Sequence, residues 1–190
     1  MPRRRARRDA REEDRYRYRK GWTPAARLAA ADRVRAALQD HRGLVVVSEA
    51  VAEVVLDVLA AKAVTVTLLD DSGYRDVVNV GDLPPGDVRF PVNLRYPTSN
   101  FPKATERLLS RRGYIGSDAP ELMAEYQRIT GETVTGSIMG VPIIAASEVR
   151  GEISATRVVG APEFDNEDLE LARDLATQLG MHLPGLIAES

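Results

Sequence analysis

Few side chains in this sequence are placed to do covalent chemistry. None of the 190 residues is a cysteine, which removes thiol nucleophiles, thiolate metal sites, disulfide frameworks and thioether attachment of a chromophore together. The two histidines, His41 and His182, fall near the C-terminal ends of predicted helices, where a cation complements the helix dipole. A multi-histidine metal centre is therefore excluded, and no metal is expected. No acid/base dyad, nucleophile with its base or metal-ligand set can be assembled, so the expectation is a protein without catalysis of its own. What remains is binding chemistry. Arg157 stands in an apolar, strand-like run and is a candidate ligand handle; a charge at a strand end along the sheet edge is the plainer reading. Arg15 to Trp22, RYRYRKGW, interleaves rings with cations as single-stranded nucleic acid binders do. A charged, weakly hydrophobic chain end reads more simply as a solvated tail.

Charge divides the chain into two parts. Residues 1–20 carry nine arginines and one lysine against four acids, net +6, while the whole chain has a formal net charge of −2. Residues 1–22 are thus expected to be a basic tail, able to meet an acidic partner or nucleic acid, and residues 23–190 a single domain. Nothing resembles a secretory signal, and no apolar run is long enough to span a bilayer, so the expected location is the cytoplasm, with no membrane contact.

The elements that must position any site follow from periodicity and caps. Thr23-Pro24 opens a helix whose apolar stripe is Leu28, Ala31, Val34 and Leu38, stopped by Gly43. Residues 44–61 repeat valines at helical spacing. Lys62 to Asp70 alternates, Asp71-Ser72-Gly73 turns, and Tyr74 to Val80 completes a hairpin; a third strand is predicted at Val88 to Val92. Leu94 to Val134 is too long for a structureless loop and carries two short helices, one opened by Pro102, the other by Asp118 with Pro120 and Glu121. Such an excursion over a sheet face is where pockets form. Gly136 to Gly160 is a second hairpin, with Met139, Val141, Ile143 and Ala145 on one face of its first strand and Ile138, Gly140 and Ile144 on the other. Pro142 in that strand argues for a bulge or a locally free edge. A final helix, Asp165 to about Leu183, is capped by Asp165 and expected to end at Pro184.

Helix, helix, hairpin, strand, helical insertion, hairpin and helix is the order of a GAF domain. The stretches YPTSNFPKATERLL (Tyr96 to Leu109), GSIMGVPIIAASEVRGEISATR (Gly136 to Arg157) and FDNEDLELARDLATQLG (Phe164 to Gly180) resemble bacterial, especially actinobacterial, sensory GAF domains. The resemblance implies an α+β fold: a central antiparallel sheet of five to six strands, N- and C-terminal helices on one face, and the helical insertion over a ligand pocket on the other. It covers roughly residues 24–188 and specifies fold better than function, since one scaffold hosts many ligands. Cyclic-nucleotide-binding members carry Asn-Lys, then Phe and Asp-Glu; here Thr156-Arg157 replace Asn-Lys, Phe164 is kept and Leu169 follows Asp168, so little of that signature survives. Members that reduce methionine sulfoxide or carry a thioether-linked bilin need cysteines, and haem-binding members need a pocket histidine that neither His41 nor His182 supplies.

With the insertion as pocket wall, the candidate ligand-binding residues are Tyr96, Thr98, Ser99, Asn100, Lys103, Tyr114, Ser117, Tyr126, Ser137, Met139 and Arg157. Thr98, Ser99 and Asn100 serve equally as caps for the helix at Pro102, and Tyr126 and Met139 equally as core. Lys103 and Arg157, if both point inward, favour an anionic ligand such as a carboxylate or phosphate. The resulting expectation is a small-ligand-sensing regulatory domain without a cofactor, signalling through its terminal helices (24–41 and 165–183) in a homodimer. The alternative is a ligand-free dimerisation or protein-interaction scaffold. With no recognisable effector module after Gly180, output is expected to pass through a partner protein or a larger assembly.

Overall fold

The computed structural model describes residues 21–82, 95–130 and 136–188. Most of the basic tail and the strand expected at Val88 to Val92 lie outside the described residues. Two helices come first, α1 (Pro24–Asp40) and α2 (Leu44–Val58). Thr23 caps α1 through its hydroxyl, which accepts from the Ala26 N–H at 3.2 Å, and Gly43, at φ +81°, makes the bend into α2. Strands β1 (Ala63–Asp70) and β2 (Gly73–Gly81) form the first hairpin, and β3 (Arg95–Tyr96) pairs with the start of β2. The insertion contains a 3₁₀ turn at Thr98–Asn100, helix α3 (Pro102–Leu109), strand β4 (Tyr114–Ile115), a second 3₁₀ turn at Gly116–Asp118 and helix α4 (Pro120–Thr130). The second hairpin, β5 (Ile138–Ala145) and β6 (Glu148–Thr156), precedes the long helix α5 (Asn166–Ala188).

The described strands make one antiparallel sheet in the order β3-β2-β1-β6-β5-β4. One face carries the main core: α2 and α5 pack on the sheet over Val64, Val66, Leu68, Met139, Val141, Ile143, Ile153 and Ala155, and α1 packs on these two helices. The other face is covered by the insertion, with a smaller apolar cluster of Tyr74, Phe101 and Leu108. Both faces being covered explains why β5 is apolar on both sides. Pro142 lies beyond the two-residue β4 pairing, next to a register shift at Ile143/Ile144, so its missing N–H leaves no ladder bond unmade there. Gly180 lets α5 approach this strand closely, since a Cβ there would overlap the Ile144 carbonyl oxygen.

Two helical expectations are corrected. Helix α1 buries Ala30, Val34, Ala37 and Leu38, not Leu28, which is 60% exposed. Arg27, bridging to Glu170 (3.4 Å) and Asp174 (3.5 Å) of α5, turns the Ala30 side inward and leaves Leu28 outside. Helix α5 runs through Pro184 to Ala188. The proline removes one intrahelical bond, but Leu183 and Leu186 on either side of it are buried, and that packing carries the helix on. Trp22, assigned above to the tail, is docked: its backbone N–H donates to Glu167 (2.8 Å) and its indole N–H to Asp168 (2.9 Å). No helix among the described residues is long and apolar enough to cross a membrane.

Candidate functional site

Between the sheet and the insertion lies a cavity of about 90 Å³, open on one side. Its floor is the outer face of three strands. Thr67 of β1 pairs in register with Asp76 of β2 on one side and Glu152 of β6 on the other, so the three side chains form a row across the sheet. A second row runs Thr65, Ser154, Gly140 and Tyr114. The acid in β2 owes its direction to a bulge. A register shift between Val66 and Thr67 leaves Val77 and Val78 both buried, so Asp76 and Asn79, an odd number of residues apart, face the same side. Their hydrogen bonds fix this: the Thr67 hydroxyl donates to Asp76 Oδ1 (2.7 Å) and the Thr65 hydroxyl to Asn79 Oδ1 (2.6 Å).

The insertion supplies roof and rim. Phe101 is buried and meets the Tyr74 ring edge-on at 6.0 Å. The Tyr74 hydroxyl donates to Thr105 Oγ1 (2.8 Å). Glu125 of α4, also buried, caps α3 across the interface, accepting from the backbone N–H of Lys103 (3.1 Å) and Ala104 (2.9 Å). Leu122, Met123 and Ile138 make the apolar wall, and Tyr96 the edge.

Three carboxylates therefore face one small cavity, and the lining contains no lysine, arginine or histidine among the described residues. They differ in how well they are satisfied. Glu125 holds two backbone amides, and Asp76 a threonine hydroxyl. The Glu152 carboxylate receives the Tyr114 hydroxyl, but its Oε1 is closed off from solvent and has no hydrogen-bond partner. Burial raises its pKa to about 7, the Tyr114 hydrogen bond opposing and the Asp76 charge adding to the shift. Burial likewise pushes Tyr74 up to about 12, with the hydrogen bond to Thr105 opposing and the charges of Glu152 and Glu125 adding. Gly140 makes room: a Cβ there would overlap Glu152 Oε1 and lie 2.5 Å from the Tyr114 ring.

The residues named from sequence are scattered over this structure. Tyr96 and Tyr114 line the cavity. Ser117 and Ser137 line a neighbouring cleft that shares Met123 and Ile138 with it, and the Ser137 hydroxyl accepts from the Phe164 N–H at 2.9 Å. Thr98, Ser99 and Asn100 form the 3₁₀ turn, and none of their side chains caps α3; Glu125 does that instead. Lys103 points outward to Glu106 at 3.3 Å. Tyr126 belongs to α4, its side chain lying outside the described residues. Met139 is in the main core, because the strand alternation directs it to the helical face and Ile138 to the cavity. Arg157 also faces the helices, so it does not join Lys103 around an anion. Asp76, Glu125 and Glu152 were missed; the available signal was an acid inside one predicted strand, Asp76, and an acid opening another, Glu152, which the structure places in the middle of β6.

Arg157 instead closes the other side of the sheet. Its guanidinium pairs with Asp168 (3.0 Å), donates to the Leu59 carbonyl (2.8 Å) and to those of Pro162 and Glu163, and lies 4.1 Å from the Phe164 ring centroid. The residues that stand where part of the cyclic-nucleotide signature would be thus form a buried brace between sheet and α5. Neither histidine reaches the cavity: Nδ1 of His41 and of His182 each lies 3.0 Å from a carbonyl one helical turn back.

The geometry has counterparts among solved structures. The GAF domain of a phosphoenolpyruvate-protein phosphotransferase from Coxiella burnetii is similar at a TM-score of 0.70 and 19% identity, covering 88% of this chain and 98% of that one. The phycocyanobilin-bound GAF domain of a cyanobacterial phytochrome is similar at 0.65 and 16%, covering 90% and 98%. The chromophore-binding domain of Stigmatella aurantiaca bacteriophytochrome is similar at 0.66 and 16%; the match covers 88% of this chain and spans 63% of that larger one. No curated protein is significantly similar in sequence. The family model for the GAF domain matches residues 29–183, and the chain belongs to the GAF domain family.

Proposed function

We propose that this chain is a regulatory GAF domain that senses a small ligand in the cavity between sheet and insertion and has no catalysis of its own. The observation that carries the reading is the buried, incompletely satisfied carboxylate of Glu152 inside a lined cavity. A domain that only scaffolds has no use for such a group, since an unmet buried polar atom costs about 1–3 kcal/mol. Sensory proteins among the structural relatives, such as a methyl-accepting chemotaxis protein, support the class of function and leave the ligand open. Signal output is assigned to the terminal helices. Helix α5 packs on β5, whose neighbour β6 carries Glu152, so a change at the cavity has a short path to α5 and α1. Leu28 of α1 and Met181 and Ile187 of α5 are exposed apolar residues on those helices, which favours a homodimer through them.

The test is native mass spectrometry of the purified chain followed by a thermal-shift screen of charged and neutral metabolite classes. A co-purifying mass or a saturable rise in melting temperature is expected, because a ligand that binds only the folded state must stabilise it. A dimer with no bound mass and no shift would overturn the sensor and favour the scaffold.

A further inference from the structure

We propose that the ligand of this cavity is a small organic cation, an ammonium head seated against Glu152 and Asp76 and flanked by the rings of Tyr74, Tyr96 and Phe101. This rests on the sensory reading of the same cavity and specifies the charge of its occupant. From sequence an anion was favoured only if Lys103 and Arg157 both point inward; the structure sends one to solvent and the other to the opposite face.

Five observations support it. The lining has three carboxylates and, among the described residues, no cationic side chain, so an anion would enter against like charge. Of the three acids, Glu125 is engaged as a helix cap, whereas the Glu152 carboxylate receives the Tyr114 hydroxyl while its Oε1, packed against Gly140, has no donor, so this carboxylate keeps acceptor capacity that the protein does not fill. Asp76 stands on the other side of Thr67, about 10 Å from Glu152 at the backbone given the ordinary strand spacing, and its charge adds to the upward shift of the Glu152 pKa. The aromatic residues at the cavity present rings, to which cations are attracted. The cavity volume suits a head group of a few heavy atoms, with Leu122, Met123 and Ile138 left for its carbon chain.

The site also makes a pH dependence. Glu152 faces Asp76 and Tyr74 from β2, Tyr114 from β4, Tyr96 from β3 and Glu125 from α4. Arg107 of α3 lies 6.0 Å from the Tyr114 ring and pairs with Glu121 at 3.8 Å. With its pKa at about 7, Glu152 must lose its proton to pair with an ammonium, so affinity rises with pH through neutrality.

The experiment is calorimetric titration of the full chain at constant ionic strength with ethylammonium and 2-aminoethanol, against acetate and glycolate as anions and acetamide as a neutral isostere. Aromatic NMR resonances locate the binding. The expected result is saturable binding of the cations, at least tenfold tighter than of the others, perturbing the tyrosine rings. Affinity should tighten roughly tenfold between pH 6 and pH 8, as a group titrating near 7 requires. Glu152→Gln, with its melting temperature maintained, should weaken cation binding at least tenfold and abolish the pH dependence. Should Glu152→Gln not fold, the wild-type pH series decides, and equal affinity at both pH values overturns the proposal. Tighter binding of acetate, glycolate or acetamide at the same rings overturns the cation and leaves the sensor standing. If none of these probes binds, the cation is overturned, while the sensor reading is decided separately by the co-purifying mass and the broader screen.

Discussion

Strand β6 and the residue that follows it bring charge to both faces of the sheet, and the two faces treat it differently. On the helical side Arg157 is 5% exposed and surrounded by partners: a carboxylate, three carbonyls and an aromatic ring. On the insertion side Glu152 has one phenolic donor and an oxygen with none. Burial alone does not separate a structural charge from a functional one. Satisfaction does: a group whose every valence is met by the protein is part of the frame, and one left short has room for something else.

The largest expected effect breaks the satisfied side. Arg157→Met strands Asp168 in the core, and removing one member of a buried pair costs about 3–5 kcal/mol. Urea titration should show that loss, and Arg157→Met combined with Asp168→Leu should recover part of it, because the uncompensated charge is then gone. If Arg157→Met were as stable as the wild type, the two faces would not differ in the way drawn here.

Glu152→Gln should move stability the other way, with a sign set by its pKa. The folded value, about 7, lies above the ordinary 4.5, so the folded state holds this proton when the unfolded chain has released it. The contribution is most favourable below pH 4.5 and is lost as pH rises to 7 and beyond, by up to about 3 kcal/mol. The variant, neutral throughout, should therefore be as stable as the wild type near pH 5 and more stable at pH 8, in urea titrations at the two pH values. A variant less stable at pH 8 would mean that the ionised carboxylate is fully satisfied, and the contrast between the faces would fail.

Gly140→Ala sharpens the contrast with a smaller effect. Its methyl group must displace the Glu152 carboxylate and press on Tyr114, and overpacking of this kind costs about 1–3 kcal/mol. Since a flexible side-chain end gives way more easily than backbone, the lower end of that range is expected. The accompanying readout is the Glu152 titration itself, followed by carboxyl NMR: moved off its buried seat, the group should titrate nearer to 4.5. An unchanged titration would place the origin of the shift elsewhere.

The same contrast shows what could be read from sequence. The two leading helices, the two hairpins, the caps at Thr23 and Asp165 and the face parity of β5 were legible, because strand alternation and capping are local, whereas the two-residue strands β3 and β4 were not. Which face held the cavity was not. Both faces of β5 are apolar, so parity placed Met139 and Ile138 on opposite sides without saying which side the insertion covered. Arg157 drew attention as a charge in an apolar run, yet its partner Asp168 looked like an ordinary acid in the first turn of a helix. Glu125 looked like the solvent side of an amphipathic helix, and its role as a cap for α3 depends on the packing of two helices. The bulge that aims Asp76 into the cavity comes from a register shift between paired strands, which no single strand displays.

A third charged site, this one an exposed pair, sets the lower end of the scale. Asp70, at the end of β1, accepts from Ser72 and from Arg95 of β3, the Arg95 contact at 2.5 Å. Burial by itself would raise its pKa, but the hydrogen bonds from Ser72 and Arg95 outweigh it and hold the carboxyl at about 2, below the ordinary 3.8. This pair therefore stabilises above pH 3.8 and loses its effect as pH falls through 2, the reverse of Glu152. Its side chains are 42% and 48% exposed, and solvent screening limits an exposed pair to about 1 kcal/mol or less. Arg95→Ala should accordingly cost less than about 1 kcal/mol in a urea titration, and 1 M salt should shrink the difference further. A larger, salt-insensitive loss would mean that the β2–β3 edge depends on Arg95 for more than charge. The ordering then fixes the rule: in this fold a charge matters in proportion to how far water is excluded from it, and the sign depends on whether the protein has replaced that water.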